Sequence, residues 1–311
     1  MSTAFIFPGQ GSQSVGMGKD IADAFSQARN VFDEVDEALG QKLSDLMFDG
    51  PDDELTLTAN AQPALMAVSM AVVRVLEAAG LSVSQRVAFV AGHSLGEYTA
   101  LAAAGALTVG DAARLLRVRG NAMQEAVPVG EGAMAAIIGL ERDTVDKICA
   151  NCATHGVCQI ANDNGGGQLV VSGSKQSVEQ AISIASEQGA KRALALPVSA
   201  PFHSTLMQPA ADAVSEALAV VKMAPPAVPL VANVLAGPVS DAAEIKTLLV
   251  RQVTGQVRWR ESVLWMAENG VSETVEIGAG RVLTGLVRRI DRSISARSIN
   301  TTQDIESFLE D

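Results

Sequence analysis

The chain has 311 residues, 48% hydrophobic and 19% charged, with a formal net charge of −12. This allows a substantial core and more than one domain, excludes a disordered chain, and makes nucleic acid and anionic membranes unfavourable partners at long range. Three cysteines argue against a disulfide framework. The N-terminus has no basic region before its apolar run, and the longest apolar stretch, 64–76, is too short for a bilayer, so a cytoplasmic location is expected.

Residues 3–7 are an apolar run of strand length ended by Pro8-Gly9, followed by a polar, glycine-rich GQGSQ loop. Residues 61–79 read as a helix that is apolar on nearly every side and therefore buried, with Pro63 in its first turn and Gly80 as its stop. A strand at 86–91 and helices at 95–106 and 109–124 continue an α/β alternation. After Pro128 the pattern changes. A strand at 133–138, a helix at 143–152, strands at 157–162 and 168–172 around a turn with three glycines, a helix at 177–188 and a strand at 192–198 follow in turn. That βαββαβ order predicts a small ferredoxin-like α+β domain over 131–198, inserted into a large α/β domain made of 1–130 and 199–311. The first pattern then returns: a helix at 207–221, a strand at 230–235, helices at 241–250 and 262–269, a strand at 273–277 and a helix at 281–289. The strands at 3–7, 86–91, 230–235 and 273–277 are expected to form one short, buried parallel sheet.

The strongest chemical signal is Gly92-His93-Ser94-Leu95-Gly96, a G-x-S-x-G string between a strand and a helix. On such a turn the serine Oγ projects above the sheet edge, and the helix N-terminus aims N–H groups at any developing negative charge. The same residues also read as a capping box, since Ser94 is followed three positions later by Glu97. The strand–turn–helix setting favours a nucleophile. A serine nucleophile needs a base, and there are three histidines. His93 is adjacent in sequence and poorly aligned with Ser94; His155 reads as a surface loop residue. His203, in Pro201-Phe202-His203-Ser204, is the base by elimination, and no acidic residue stands out as its orienter.

Other patterns carry less. Cys149, Cys152, His155 and Cys158 recur every three residues, but they straddle a helix end and a strand start and cannot easily converge on zinc, so no metal is expected and the cysteines read as small buried apolar residues. The Gln10–Gln13 loop lacks the lysine of a phosphate cradle. Arg114, Arg117 and Arg119 share one helix, with Arg119 turned away from the other two, and such arginines usually face solvent.

In combination, FIFPGQGSQ, TANAQPAL, GHSLGEYTALAAAGAL, RGNAMQEAVP, PFHSTLM, RQVTGQVRW and GRVLTGLVRRI resemble the malonyl-coenzyme A:acyl carrier protein transacylases of bacterial type II fatty acid synthesis, in order from about residue 3 to 290. Polyketide-synthase acyltransferase domains share much of this pattern. The resemblance implies Ser94 as nucleophile, His203 as base, and the backbone carbonyl of Gln252 in place of a triad carboxylate. It also implies an oxyanion hole from the N–H groups of Gln10 and Leu95, and Arg119 as the binder of the malonyl carboxylate. Phe202, next to the base, is expected to narrow the space beside that carboxylate. No cofactor is implied. Malonyl-coenzyme A and the phosphopantetheine of an acidic acyl carrier protein are the substrates, and the family suggests a monomer. The Lys191–Arg192 and Arg288–Arg289 pairs are the candidate carrier contacts, on either side of the domain cleft. Two other classes stay open on the residues alone: a serine thioesterase or hydrolase on the same elbow, and a non-catalytic carrier-binding subunit.

Overall fold

The structure, a computed structural model, describes residues 2–198 and 200–310. The expected domain junction at 199, like the outer ends of the large domain at 1 and 311, lies outside the described residues.

Ten strands form two sheets among the described residues. In chain order they are β1 (Ser2–Phe7), β2 (Phe89–Gly92), β3 (Gly132–Ile138), β4 (Cys158–Asp163), β5 (Gln168–Ser174), β6 (Arg192–Ala195), β7 (Leu230–Ala232), β8 (Gly237–Val239), β9 (Val271–Ile277) and β10 (Ser295–Ile299). The first sheet runs β10-β9-β1-β2-β7-β8. Its first five strands are parallel and β8 is an antiparallel edge. The four strands expected from sequence are its central block, with β1 and β2 side by side. The apolar runs of β1, β2 and β7 are what a sheet covered on both faces requires, while β9 buries Thr274 and Glu276 among its apolar residues.

Several boundaries differ from expectation. The strand expected at 86–91 begins only at Phe89, because Val83–Arg86 closes a short helical turn. The strand expected at 230–235 stops at Ala232 and turns into β8 through Ala236, which has φ 53°. The strand expected to reach 198 ends at Ala195. β10, the helix Thr302–Glu310 and the helices between residues 19 and 56 carry no counterpart in the sequence reading. The apolar helix starts earlier than expected, at Thr58, so Pro63 sits in its second turn. At 21 residues it is long and apolar enough to match a membrane span, a correction to the sequence reading, but it is packed within the protein on almost every side.

The second sheet is antiparallel, in the order β4-β5-β3-β6, and covers one face with helices Arg142–Cys152 and Lys175–Glu187. It lies in the chain between helices Val109–Glu125 and Gln208–Val220, which pack directly on each other. Cys149, Cys152 and Cys158 are buried in its apolar core. The second sheet is tied to the segment ahead of helix Trp259–Glu268, where Val257 pairs with the end of β4 through Val257 N–H to Ala161 O (2.8 Å) and Asp163 N–H to Val257 O (2.9 Å).

Candidate active site

Ser94 sits immediately beyond β2, at φ 54°, a left-handed conformation that costs a non-glycine residue about 1–2 kcal/mol. The flanking glycines are a steric necessity. A Cβ on Gly92 would lie 1.9 Å from the Gly96 carbonyl carbon, and one on Gly96 would lie 2.3 Å from Phe7 O. Strand and helix therefore cross at backbone contact, and the serine is forced outward. No capping box forms: the Ser94 side chain turns away from the helix, to His203 and Arg119.

His203 lies in the loop between the two sheets, also left-handed (φ 58°) and buried. Its Nδ1 is 2.8 Å from the backbone carbonyl of Gln252. A carbonyl can only accept, so Nδ1 carries the hydrogen and Nε2 is the acceptor for Ser94 Oγ–H, at 2.8 Å. Burial, reinforced by the nearby Arg119 charge, pushes the imidazole pKa down to about 3, which keeps the ring neutral. His93 is half-buried, and desolvation lowers its pKa and keeps it neutral; it bonds Asn164 at 2.9 Å and packs against Trp259. His155 lies exposed in the small sheet's loops.

Of the three helical arginines, Arg114 is exposed and pairs with Asp111, and Arg117 is half-buried against Asn60 and Gln41. Arg119 is only 1% exposed. It donates to Gln62 (2.6 Å), Gln252 Oε1 (2.9 Å) and Ser94 Oγ (3.0 Å), while its Nε has no protein acceptor. No carboxylate pairs with it among the described residues. The reach to Ser94 depends on Gly120, where a Cβ would lie 2.6 Å from Ala59 Cα, so the two helices touch there. Gln62 in turn donates to Thr58, and Thr58 to the side chain of Gln10, each at 2.9 Å.

Ser94, His203, Arg119, Phe202, Gln10 and Leu95 all line one cavity of about 380 Å³ between the two sheets. Gln252 stands behind it. The N–H groups of Gln10 and Leu95 find no protein acceptor among the described residues, and both belong to loops leaving adjacent parallel strands. No grouping of His, Cys, Asp and Glu suited to a metal occurs among the described residues.

Three contributors were missed by the sequence reading. Asn233 accepts from Ser94 N–H (2.8 Å) and donates to Gly92 O (2.7 Å). Glu97, read only as half of a capping box, is buried and accepts from Asn233 N–H (2.6 Å) and from Gln252 Nε2. Burial pushes its carboxyl pKa up to about 8. Asn164, on the glycine turn, reaches His93 and the cavity. Only Glu97 had a sequence signal, its spacing from Ser94.

A sequence model of the acyl transferase domain matches residues 4–306. The chain belongs to the acyl transferase domain family. Among similar members of this family, the malonyl CoA-acyl carrier protein transacylase of Bacillus subtilis is 45% identical over 308 residues, covering 99% of this chain and 96% of the relative. A crystal structure of an acyl-carrier-protein S-malonyltransferase from Bartonella henselae is 61% identical, with a TM-score of 0.98 over 100% of this chain and 99% of the other. A malonyl-transacylase solved in complex with its type II PKS acyl-carrier protein is 43% identical, with a TM-score of 0.96 over 100% and 99% of the two chains.

Proposed function

We propose that this acyl transferase moves a malonyl group from malonyl-coenzyme A to the phosphopantetheine thiol of an acyl carrier protein, through an ester on Ser94. The observation that carries the reading is Arg119: a buried guanidinium 3.0 Å from Ser94 Oγ, in direct contact with no carboxylate among the described residues, the nearby Glu97 being held off by the Gln252 amide. A dry cationic fork beside a nucleophile calls for a substrate that ends in a carboxylate. The relatives named for malonyl transfer support the same reading.

In the first half-reaction Ser94 Oγ attacks the thioester carbonyl as His203 Nε2 takes its proton. The oxyanion is received by the N–H groups of Gln10 and Leu95. Collapse breaks the carbon–sulfur bond, and His203 returns the proton to the departing coenzyme A sulfur. In the second, the carrier thiol gives its proton to His203, its sulfur attacks the ester, and Ser94 regains a hydrogen. The Gln252 carbonyl orients the imidazole without a charge, since the acceptor of Nδ1–H has only to fix the tautomer. Pairing of the malonyl carboxylate with Arg119 cancels the cation that helps depress His203, so the substrate itself strengthens the base. A hydrolase of this plan would set an acid at His203 Nδ1, where a carbonyl stands instead.

The finer architecture belongs to the same proposal. The turn at Ser94 acts as a serine elbow, and residues 131–198 act as an inserted ferredoxin-like domain that roofs the cavity, supported by the βαββαβ order and the β4-β5-β3-β6 sheet. The enzyme is read as a cytoplasmic monomer that needs no resident cofactor and meets its acidic carrier through a local basic patch.

The test is intact mass after mixing with malonyl-coenzyme A alone. One malonyl adduct per chain is expected, and none with Ser94→Ala. A protein that transfers malonyl without carrying the adduct under rapid quench would sink the ping-pong scheme.

A further inference from the structure

Ser94 is the only residue of the elbow whose backbone is held from both ends by side-chain amides. Asn233 takes its N–H at 2.8 Å, and Gln252 Nε2 donates to its C=O at 2.8 Å. Asn233 also holds Gly92 O, and Gln252 also meets Arg119 through Oε1 and His203 through its own carbonyl. Both clamps converge on one group. Glu97 Oε1 accepts from Asn233 N–H, and Glu97 Oε2 accepts from Gln252 Nε2. A strained left-handed serine persists only where its surroundings over-determine it, and here they do so through a single carboxylate.

We propose that Glu97 is a positioning residue for the acyl transfer, whose carboxylate sets the direction of the Gln252 amide and so holds Ser94, Arg119 and His203 in register. The inference rests on the function proposed above.

The direction follows from hydrogen-bond chemistry. Gln252 turns its NH₂ to Glu97 and to Ser94 O, which leaves its oxygen for the Arg119 guanidinium. Both Glu97 oxygens accept from N–H groups, so a proton on Oε1 would oppose the Asn233 N–H and one on Oε2 would oppose the Gln252 NH₂, and two donors cannot bond. Turning the amide over would satisfy an O–H at Oε2, but would set NH₂ against the guanidinium and oxygen against Ser94 O. Arg119 would then lose one of its acceptors. The ionised carboxylate is therefore the competent form.

The charged or titratable groups facing Glu97 are few. Arg119 comes from the helix Val109–Glu125, and Tyr98, held up to about 12 by burial, comes from its own helix. The neutral His203 ring stands beyond Gln252, and the segments after β7 and around Gln252 contribute only the amides. With burial raising its pKa to about 8, Glu97 becomes an acceptor as the pH rises through that value, whereas His203 is neutral down to about 3 and adds no limb there.

The experiment is rapid-quench mass measurement of Ser94 malonylation from malonyl-coenzyme A, from about pH 6 to about pH 9, a half-reaction in which no thiol has to be deprotonated. Wild type should show a loading rate that rises through about pH 8. Glu97→Gln, of equal size, should be about 10- to 100-fold slower at the high end, the loss expected for a hydrogen bond to a charged acceptor. It should lose the limb, and its malonyl-over-acetyl preference should fall, because Arg119 is no longer held. A wild-type profile flat through that range would overturn the inference even if Glu97→Gln does not fold. So would a folded Glu97→Gln that keeps the limb and the preference. A wild type that forms no adduct at any pH would overturn the proposed function and this inference together.

Discussion

The two walls of the cavity are built on opposite electrostatic plans. On the parallel-sheet side Arg119, Glu97 and His203 are all buried, and they touch one another only through neutral groups: the amide and carbonyl of Gln252 and the hydroxyl of Ser94. On the antiparallel side the buried Asp163 is paired directly with Arg142 and Arg260, each partly open to water. That cluster anchors the turn Gly165–Gly167, and among the described residues the wall meets the segment Gly92–Gly96 through a side-chain bond from Asn164 to His93. The first plan keeps the Arg119 guanidinium out of direct contact with a carboxylate and so ready for that of a substrate. The second neutralises its charges in place and makes a rigid rim. Chemistry and selectivity should therefore fail on one side, and partner binding on the other.

The sharpest way to break this contrast is the histidine pair. His203→Ala should cut malonyl turnover by roughly two to four orders of magnitude, the usual range for loss of a general base. His155→Ala, exposed on the small sheet's side, should change it almost not at all. Steady-state kcat for both variants decides it, and the reverse pattern would remove His203 from the mechanism.

Arg119→Ala comes next. Losing one partner of a buried ion pair costs about 3–5 kcal/mol, so kcat/KM for malonyl-coenzyme A should fall by roughly two to three and a half orders of magnitude. Acetyl transfer has no carboxylate to lose and should be spared. Equal losses for both substrates would mean that Arg119 holds the site together and does not read the acyl group. Arg119→Lys should be a poor replacement, since a point charge cannot reproduce the fork shared by Gln62, Gln252 and Ser94.

The smallest expected effect concerns the rim. The basic pairs expected on either side of the cleft border the same glycine turn: Arg289 packs on Gly166, and Lys191 packs on Gly139, whose N–H bonds Gly167 O. They differ in reach, because Arg289 lines the cavity and Lys191 and Arg192 do not. Reversing Lys191 and Arg192 to Glu should raise the carrier KM several-fold and leave loading from malonyl-coenzyme A unchanged. The same reversal at Arg288 and Arg289 should disturb both half-reactions. Equal losses for the first pair would assign Lys191 and Arg192 a structural role.

Some of this molecule was legible from residues alone. The spacing Gly92–Ser94–Gly96 sets the crossing, because a backbone contact under 2 Å from a Cβ admits no other side chain at Gly92. The apolar runs of β1, β2 and β7 mark a sheet covered on both faces, whereas β9 carries Glu273 and Glu276 among its apolar residues, and the βαββαβ period of residues 131–198 is local in sequence. The helices Lys19–Ala24, Leu43–Asp49 and Asp52–Thr56 were not legible, since pieces of five to seven residues carry too few turns for a periodic signal; Ser26–Leu39, at 14 residues with Ala28, Val31, Phe32 and Val35 on its buried face, did carry that signal, and the sequence reading missed it. Nor was β10, an edge strand with alternating polar residues, Ser295-Ala296-Arg297-Ser298.

At the site, sequence determined which residue types were available: one serine on a glycine-flanked turn, three histidines, and no obvious acid beside the base. Tertiary structure alone decided which of them meet. Ser94, Arg119, His203, Asn233 and Gln252 are separated by up to 158 positions in the chain, and hydrogen bonds at such separations leave no periodic trace. It also decided what Arg119 and Glu97 are. A helical arginine and an N-terminal glutamate are ordinary surface residues by pattern, and only the packing of Gly120 on Ala59 and of Gly96 on Phe7 buries them. Burial removes the water that would have screened their charges, so each must be answered by a specific dipole or by the substrate.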